Sequence, residues 1–392
     1  MSAWIAVLNC GSSSIKFALF DASRTPLPRT APWSGKVEGI GSPQASYQES
    51  GAPSEPLVLE AVDPYHAALA HIRERIQARL QGDRLLAVAH RVVHGGAKYF
   101  LPTRIDAQVL ADLRSYIPLA PLHQPFALEA IEVLLRERPE LPQVACFDTA
   151  FHHTLPDVEK VLPLPFENWE RGVRRYGFHG LSYAFLSIAL AERYGERARG
   201  RTLCAHLGSG ASLCGMNDLK SVATTMGFSA LDGLMMGTRC GSLDPGVVLY
   251  LLESERLDAH ELGQLLYHRS GLLGVSGVSA DPRELLPIES GNERVTLALA
   301  LYVRRIVREI GALVAVLGGL DLLVFTAGVG EHNAAIRERV CHDLAYLGLE
   351  LDPVANLANA PIISTPSSSV PVAVEPTNEE WIAARDAIAT LA

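Results

Sequence analysis

The sequence predicts an α/β protein built from two similar halves. Two observations carry that prediction. Residues 4–20, WIAVLNCGSSSIKFALF, read as strand, Gly/Ser loop and strand, and residues 202–217, TLCAHLGSGASLCGMN, repeat the shape. Each has an apolar run ending in a polar residue (Asn9, His206), then a glycine-serine turn, then a second strand-like run, and the two lie about half of the 392 residues apart. Between and after them the period turns helical, over 65–80, 124–138, 180–194, 245–270 and 293–317. Strand-like runs 85–93, 143–148 and 321–327 alternate with these helices, which is the signature of α/β layers. The domains are expected at 1–150 and 151–376, with a last helix, about 377–392, packing back on the first half. Stretches 41–56 and 361–371, rich in Gly, Ser and Pro, read as surface loops.

Composition sets the outer limits. With 48% hydrophobic and 20% charged residues, the chain is ordinary globular protein. A net charge of −9 without a basic stripe argues against nucleic acid as a partner. The apolar stretch Ile310 to Val329 contains Asp321 and several glycines, so no membrane span is expected. The N-terminus lacks a basic segment before its short apolar run, and the six cysteines include no C-x-x-C pair. Reduced, mostly buried thiols and a cytoplasmic location are the expectation.

Three glycine-rich turns follow apolar strands: CGSSS (10–14), GSGAS (208–212) and GVGEHN (328–333). Backbone N–H groups and hydroxyls in such turns form concavities that suit phosphate oxygens. None is a Walker A loop, and the first two lead into strands rather than helices, which argues against a dinucleotide fold. Two arginines sit near glycines: Arg91 in HRVVHGG and Arg239 in MGTRCGSLDPG. Each is able to present its planar fork to a carboxylate or phosphate, with an ion pair to an acid such as Asp244 as the plain alternative for Arg239. Asp148 closes the strand before TAFHH, where a site carboxylate and a helix cap compete. His179 precedes a glycine and a helix, a setting in which histidine is more often structural. Glu379 and Glu380 open the last helix, where its dipole favours acids. No zinc-ligand spacing is present.

Read in order, NCGSSSIKF, HRVVHGG, APLHQP, FDTAFH, RRYGFHG, HLGSGAS, MGTRCGSLDPG, FTAGVGEH and PTNEE closely resemble the acetate kinase family of short-chain acid kinases. The resemblance runs from residue 4 to 385. It implies the duplicated ribonuclease H-like fold of the actin, Hsp70 and sugar kinase superfamily, with a site in the cleft between halves, in a cytoplasmic homodimer. It also implies a reversible phosphoryl transfer from ATP to acetate, giving ADP and acetyl phosphate, with Mg2+ as cofactor and Mn2+ as the alternative ion.

Carried over motif by motif, Asn9 and Glu379 match the magnesium ligands or their water shell, and Lys16 a phosphate contact. Arg91 matches the clamp on the acid, Asp148 the catalytic carboxylate, and Arg239 with His179 the groups facing the transferring phosphoryl. Val93, Leu122, Phe178 and Ala230 match the acyl pocket. His206, Leu207, Gly208, Ser209 and Gly210, then Asp281, Pro282 and Arg283, then Gly328, Val329, Gly330, Glu331 and His332, match the nucleotide-binding segments.

The sequence also departs from that pattern. The family's HLGNG reads HLGSG, placing Ser209 beside the phosphates. Its HGTSH reads HGLSY, with Leu181 and Tyr183 replacing polar residues. LHNPPN reads LHQPFA, and the proline of GFTPLEGL is Ala230, which enlarges the pocket and invites propionate. A propionate-preferring kinase is the near alternative, and an Hsp70- or actin-like ATP switch the distant one. A switch has no use for a carboxylate clamp, and a sugar kinase needs a base for a neutral hydroxyl.

Overall fold

The computed structural model describes residues 2–60, 62–121 and 123–391. The chain divides into two compact units, Met1–Ala150 with Asn378–Ala392, and Phe151–Thr377.

In the first unit the strands are β1 (Ala3–Cys10), β2 (Ser14–Asp21), β3 (Trp33–Glu38), β4 (Ser46–Glu49), β5 (Glu55–Pro56), β6 (Arg84–Val92), β7 (Thr103–Arg104) and β8 (Gln143–Phe147). They form one sheet in the order β5-β4-β3-β2-β1-β6-β8-β7. The second unit holds β9 (Thr202–Leu207), β10 (Ala211–Asn217), β11 (Lys220–Thr224), β12 (Leu322–Thr326) and β13 (Val372–Val374), in the order β11-β10-β9-β12-β13.

The two sheets share a plan. β1 pairs antiparallel with β2 and parallel with β6, and β6 pairs parallel with β8. In the same way β9 pairs antiparallel with β10 and parallel with β12, which pairs parallel with β13. The echo between residues 4–20 and 202–217 is therefore one hairpin placed twice. Parallel strands covered on both faces read as unbroken apolar runs. Every residue of β8 (QVACF), β9 (TLCAHL) and β12 (LLVFT) is accordingly buried.

Helices sit where the period placed them, at Pro64–Leu80, Gln124–Glu137, Gly180–Tyr194 and Glu293–Leu317. The helix Glu379–Leu391 packs in the first unit against β1, β6 and β8, where Cys146 Sγ meets the Ala383 carbonyl at 3.7 Å. Its start is fixed by Asn378, whose Oδ1 accepts from Trp381 N at 3.0 Å while its Nδ2 donates to the Arg29 carbonyl at 2.7 Å. All six cysteines are free, five of them buried.

Three expectations need correction. Residues 41–56 are not merely loop: β4 and β5 extend the first sheet there, because Tyr47 inserts its ring into the core against Phe17 despite the polar residues around it. The helical pattern 245–270 is two helices, Pro245–Glu253 and Ala259–His268, since Asp258 starts a new one with a capping box to Glu261. GVGEHN is not an open turn: Ala327–His332 is itself a short helix, entered through Ala327 at φ +65°.

Candidate active site

Parallel pairing brings the C-terminal ends of β1, β6 and β8 to one edge of the first sheet, the edge at which open α/β sheets place their ligands. Asn9, Arg91 and Asp148 occupy those ends. Asp148 is drawn onto the ladder by its own N–H, which donates to the Val92 carbonyl at 3.0 Å. Arg91 Nε donates to Asp148 Oδ1 at 3.1 Å, Nη2 donates to Oδ2, and Nη1 donates to Asn9 Oδ1 at 3.2 Å. Glu379 Oε2, from the first turn of the last helix, lies 3.6 Å from Arg91 Nε.

Asp148 is thus neither a helix cap nor exposed: it is 1% accessible and takes the Nε–Nη2 edge of a guanidinium fork. Burial opposes the charge of Arg91, but the carboxylates of Asp148, Glu379 and Glu380 hold its pKa above the ordinary arginine value. Glu379 is shifted upward as well, which for a carboxyl favours the neutral form. Burial raises its carboxyl to about 7, with Arg91 and Lys16 opposing the rise and Asp148 and Glu380 adding to it. Lys16 stands exposed on β2 directly across from Asn9. Val93 is buried just past Arg91, and Leu122 lies outside the described residues.

The second unit gathers a separate group. His179 is the left-handed residue (φ +58°) before the helix Gly180–Tyr194, a conformation that turns its ring back toward the β9–β10 hairpin. Its Nδ1 lies 2.8 Å from Ser212 Oγ, and its ring stacks on His206 at 4.1 Å and 13°. His206, on β9, pairs across the hairpin with Ser212, and its Nδ1 lies 2.9 Å from Ser182 Oγ. The hairpin closes through Gly208, Ser209 and Gly210, with Gly208 N donating to the Gly210 carbonyl at 3.0 Å. Leu207 is buried and Ser209 exposed.

Gly210 marks where the group converges. A Cβ there would sit 3.2 Å from His179 Nε2 and 3.6 Å from Arg239 Nη1. Arg239 Nη1 also donates to the Ala230 carbonyl at 3.1 Å, and Asp244 instead caps the helix Pro245–Glu253 through Gly246 N. A histidine nitrogen and a guanidinium flanking a bare glycine make a cradle for an anion.

The other predicted segments have definite places. A Cβ on Gly208 would lie 3.6 Å from that of Ala327, so the β9–β10 turn and the start of the helix Ala327–His332 are neighbours. Within that helix Gly328 is exposed, Val329 half-buried and Gly330 buried. Glu331 is occupied by backbone, accepting from Ala327 N at 2.7 Å and Thr377 N at 3.2 Å, while the His332 side chain is 70% exposed. Asp281 and Arg283 pair with each other at 2.6 Å around the buried Pro282. They follow Ala280, whose carbonyl lies 2.9 Å from a Cβ built on Gly237 in the Arg239 loop. Phe178 is buried, its carbonyl accepting from His152 Nε2 at 2.9 Å, and Ala230 is half-buried.

Sequence reasoning missed Arg337. It is fully buried and donates to the carbonyls of Gly330 at 2.9 Å and Glu331 at 3.0 Å and to Asn356 Oδ1, fastening the GVGEHN helix. Its signal was visible: an arginine standing in the apolar stripe of Ile336, Val340, Cys341 and Leu344.

A sheet plan used twice, with a clamped arginine in one unit and an anion cradle in the other, defines a kinase of the duplicated α/β class. The model of the acetokinase family matches residues 4–385. An acetate kinase of Rhodopseudomonas palustris is 50% identical over 390 residues, covering 98% of each chain. The crystal structure of Porphyromonas gingivalis acetate kinase is similar with a TM-score of 0.87 at 38% identity, covering 100% of each chain. A propionate kinase from Francisella tularensis is similar with a TM-score of 0.89 at 33% identity, over 98% of each chain. The chain belongs to the acetokinase family, kinases that transfer phosphate from ATP to a carboxylate.

The magnesium ion that membership implies is consistent with the donors present. Among the described residues no three histidine, cysteine or carboxylate side chains are grouped as a metal cage. The corner around Arg91 offers hard oxygens instead, the Asn9 amide and the Glu379 carboxyl. Magnesium suits such a site, since it keeps several waters and binds through one or two protein oxygens plus phosphate.

Proposed function

We propose that the chain is an acetate kinase acting reversibly on magnesium-ATP and acetate to give ADP and acetyl phosphate. The observation that carries this reading is Arg91, a guanidinium fork held rigid by Asp148 and Asn9 at a sheet's ligand-binding edge. Acetate is ionised at neutral pH, as a Glu side chain is, with a pKa of about 4.3, so transfer needs no general base. It needs in-line positioning and neutralised charge on the phosphoryl oxygens. Arg91 pairs with the acid's carboxylate, and Asp148 orients Arg91 rather than taking a proton. His179 and Arg239 face the transferring group over Gly210. Asn9 and Glu379 hold the magnesium ion or its waters; when bound, that ion neutralises phosphate charge. Lys16 contacts the nucleotide's phosphates, and His206–Gly210, Asp281–Arg283 and Gly328–His332 hold the nucleotide.

Propionate is the second reading, supported by Ala230 in place of a pocket proline and by the likeness to a propionate kinase. One methylene discriminates by only about 1–3 kcal/mol. A coupled ADP-release assay with acetate, propionate, butyrate and glycerol decides: the highest kcat/KM with acetate supports the first reading and with propionate the second. Turnover that no acid accelerates overturns both.

We further propose a cytoplasmic homodimer. The helix Pro245–Glu253 (PGVVLYLLE) has no buried residue, with Leu249 and Tyr250 each 55% exposed, a face that a second copy would cover. Sedimentation of the wild type as a dimer and of Leu249→Lys, Tyr250→Lys as a monomer is expected; a monomeric wild type overturns it. No helix among the described residues is long and apolar enough to cross a membrane.

A further inference from the structure

Tyr183 is fully buried in the first turn of the helix Gly180–Tyr194. Its hydroxyl lies 2.9 Å from the Ser212 carbonyl oxygen and 2.6 Å from the Ser212 hydroxyl, which lies 2.8 Å from His179 Nδ1. Three contacts must be served by the protons available. A carbonyl only accepts, so the single proton of Tyr183 goes to it. The Tyr183–Ser212 contact then takes the one proton of Ser212. Nothing is left on Ser212 to give the imidazole, so the third contact needs a proton on Nδ1 of His179. Running the chain the other way, Tyr183 to Ser212 to Nδ1, leaves two oxygens 2.9 Å apart with lone pairs facing each other and no hydrogen between them.

We infer that Tyr183 and Ser212 are positioning residues that hold the proton of neutral His179 on Nδ1. The consequence falls on Nε2, the nitrogen that flanks Gly210 beside Arg239 Nη1. With Nδ1 already protonated, Nε2 donates to an anion only after a second proton arrives. His179 therefore meets an anion as a full cation and not as a neutral donor. Its charge adds to that of Arg239, and the stacked His206, whose own Nδ1 is turned to Ser182, is a further titratable neighbour. This rests on the proposed reading that His179 faces the transferring phosphoryl group. It extends that reading by assigning the tautomer and the residues that set it.

The test separates the two. In protein carrying 15N-labelled histidine, long-range 1H–15N spectra at alkaline pH, where imidazoles are neutral, distinguish Nδ1–H from Nε2–H. The His179 signal is the one lost in His179→Asn. Wild type is expected as the Nδ1–H form. In Tyr183→Phe the Ser212 proton is released to point at Nδ1, so the Nε2–H form is expected. Should Tyr183→Phe not fold, Ser212→Ala is expected to lose the Nδ1–H preference. An Nε2–H wild type, or variants that keep Nδ1–H, overturn the inference. On the kinetic side, Tyr183→Phe is expected to lower kcat about tenfold, less than loss of a whole donor, with KM for acetate unchanged. If the tautomer switches and kcat does not move, the relay stands and the role given to His179 in phosphoryl transfer falls.

Discussion

Arg91 and Asp148 are two strand ends joined as one bidentate pair, with Nε donating to Oδ1 at 3.1 Å and Nη2 to Oδ2. The aspartate is almost wholly buried, and Arg91 leaves 21% of its side chain accessible. A fork gripped along one edge keeps its plane, and Nη1 is committed to Asn9. On the proposed reading, Asp148 acts on the reaction through Arg91.

Asp148→Asn removes one acceptor of that grip and leaves the acid's carboxylate to meet a tilted fork. Misplacement by about 1 Å costs roughly 100-fold in rate, so kcat/KM for acetate is expected to fall by about that factor. With no proton passing through Asp148 on the proposed reading, the pH–rate profile is expected to keep its shape. Activity restored at high pH would mean that the carboxylate is a base after all.

Arg91→Ala strips the countercharge from a buried aspartate and from Glu379 at once. Leaving a buried charge unpaired costs about 3–5 kcal/mol, and a loss of that order is expected in urea unfolding. Arg91→Ala, Asp148→Ala together is expected to recover much of the loss without recovering activity. A single variant as stable as wild type would show that the pair contributes nothing to the fold.

Gly210→Ala places a methyl group between His179 Nε2 and Arg239 Nη1, at 3.2 and 3.6 Å. The backbone tolerates it, since no left-handed φ is involved at Gly210. Melting temperature is expected to stay close to wild type while KM for ATP rises and kcat falls at least tenfold, by steric exclusion of an anion from the cradle. Gly177→Ala is the contrast: φ is +76° and the Cβ would sit 2.5 Å from the His152 ring, so stability is lost first. If Gly210→Ala leaves both kinetic constants unchanged, the cradle is not where phosphate goes.

How much of this was written in the sequence differs from element to element. The hairpins ending in Asn9 and His206 were legible because fully buried parallel strands leave unbroken apolar runs and glycine-serine turns punctuate them. β4 was not, because its inward residue, Tyr47, is a single aromatic among Gln, Ser and Glu, and only the sheet edge beside β3 gives that alternation a meaning. The residue types of the candidate site could be named from the sequence, but their partners could not. Nothing in FDTAFH says that Asp148 takes one whole edge of Arg91, a residue on a different strand. Nor does HGLSY show that Tyr183 reaches Ser212 across a hairpin. Such links depend on register, which is set by pairing between segments distant in sequence. Arg337 falls between the two cases: its place in an apolar stripe was visible, but its acceptors were not.

Two buried histidines, one in each unit, make stability depend on pH. His90 donates Nε2–H to Gln143 Oε1 at 2.7 Å, with no hydrogen-bond partner for Nδ1 among the described residues. His152 donates Nε2–H to the Phe178 carbonyl and meets Ser221 Oγ with Nδ1 at 2.8 Å. Burial lowers each from 6.5 to about 4. With folded values below the unfolded one, the unfolded chain takes up protons first as pH falls. Stability is therefore complete above about pH 6.5 and declines from there towards pH 4, by about 2 kcal/mol per histidine between pH 8 and pH 5. Other groups titrate in the same range, so the informative quantity is a difference. His90→Gln keeps a donor for Gln143 and removes the titration; its loss of unfolding free energy from pH 8 to pH 5 is expected to be smaller than that of wild type by about 2 kcal/mol. His152→Gln is expected to do the same in the other unit. Equal losses in wild type and both variants would mean that neither imidazole is kept neutral by the fold.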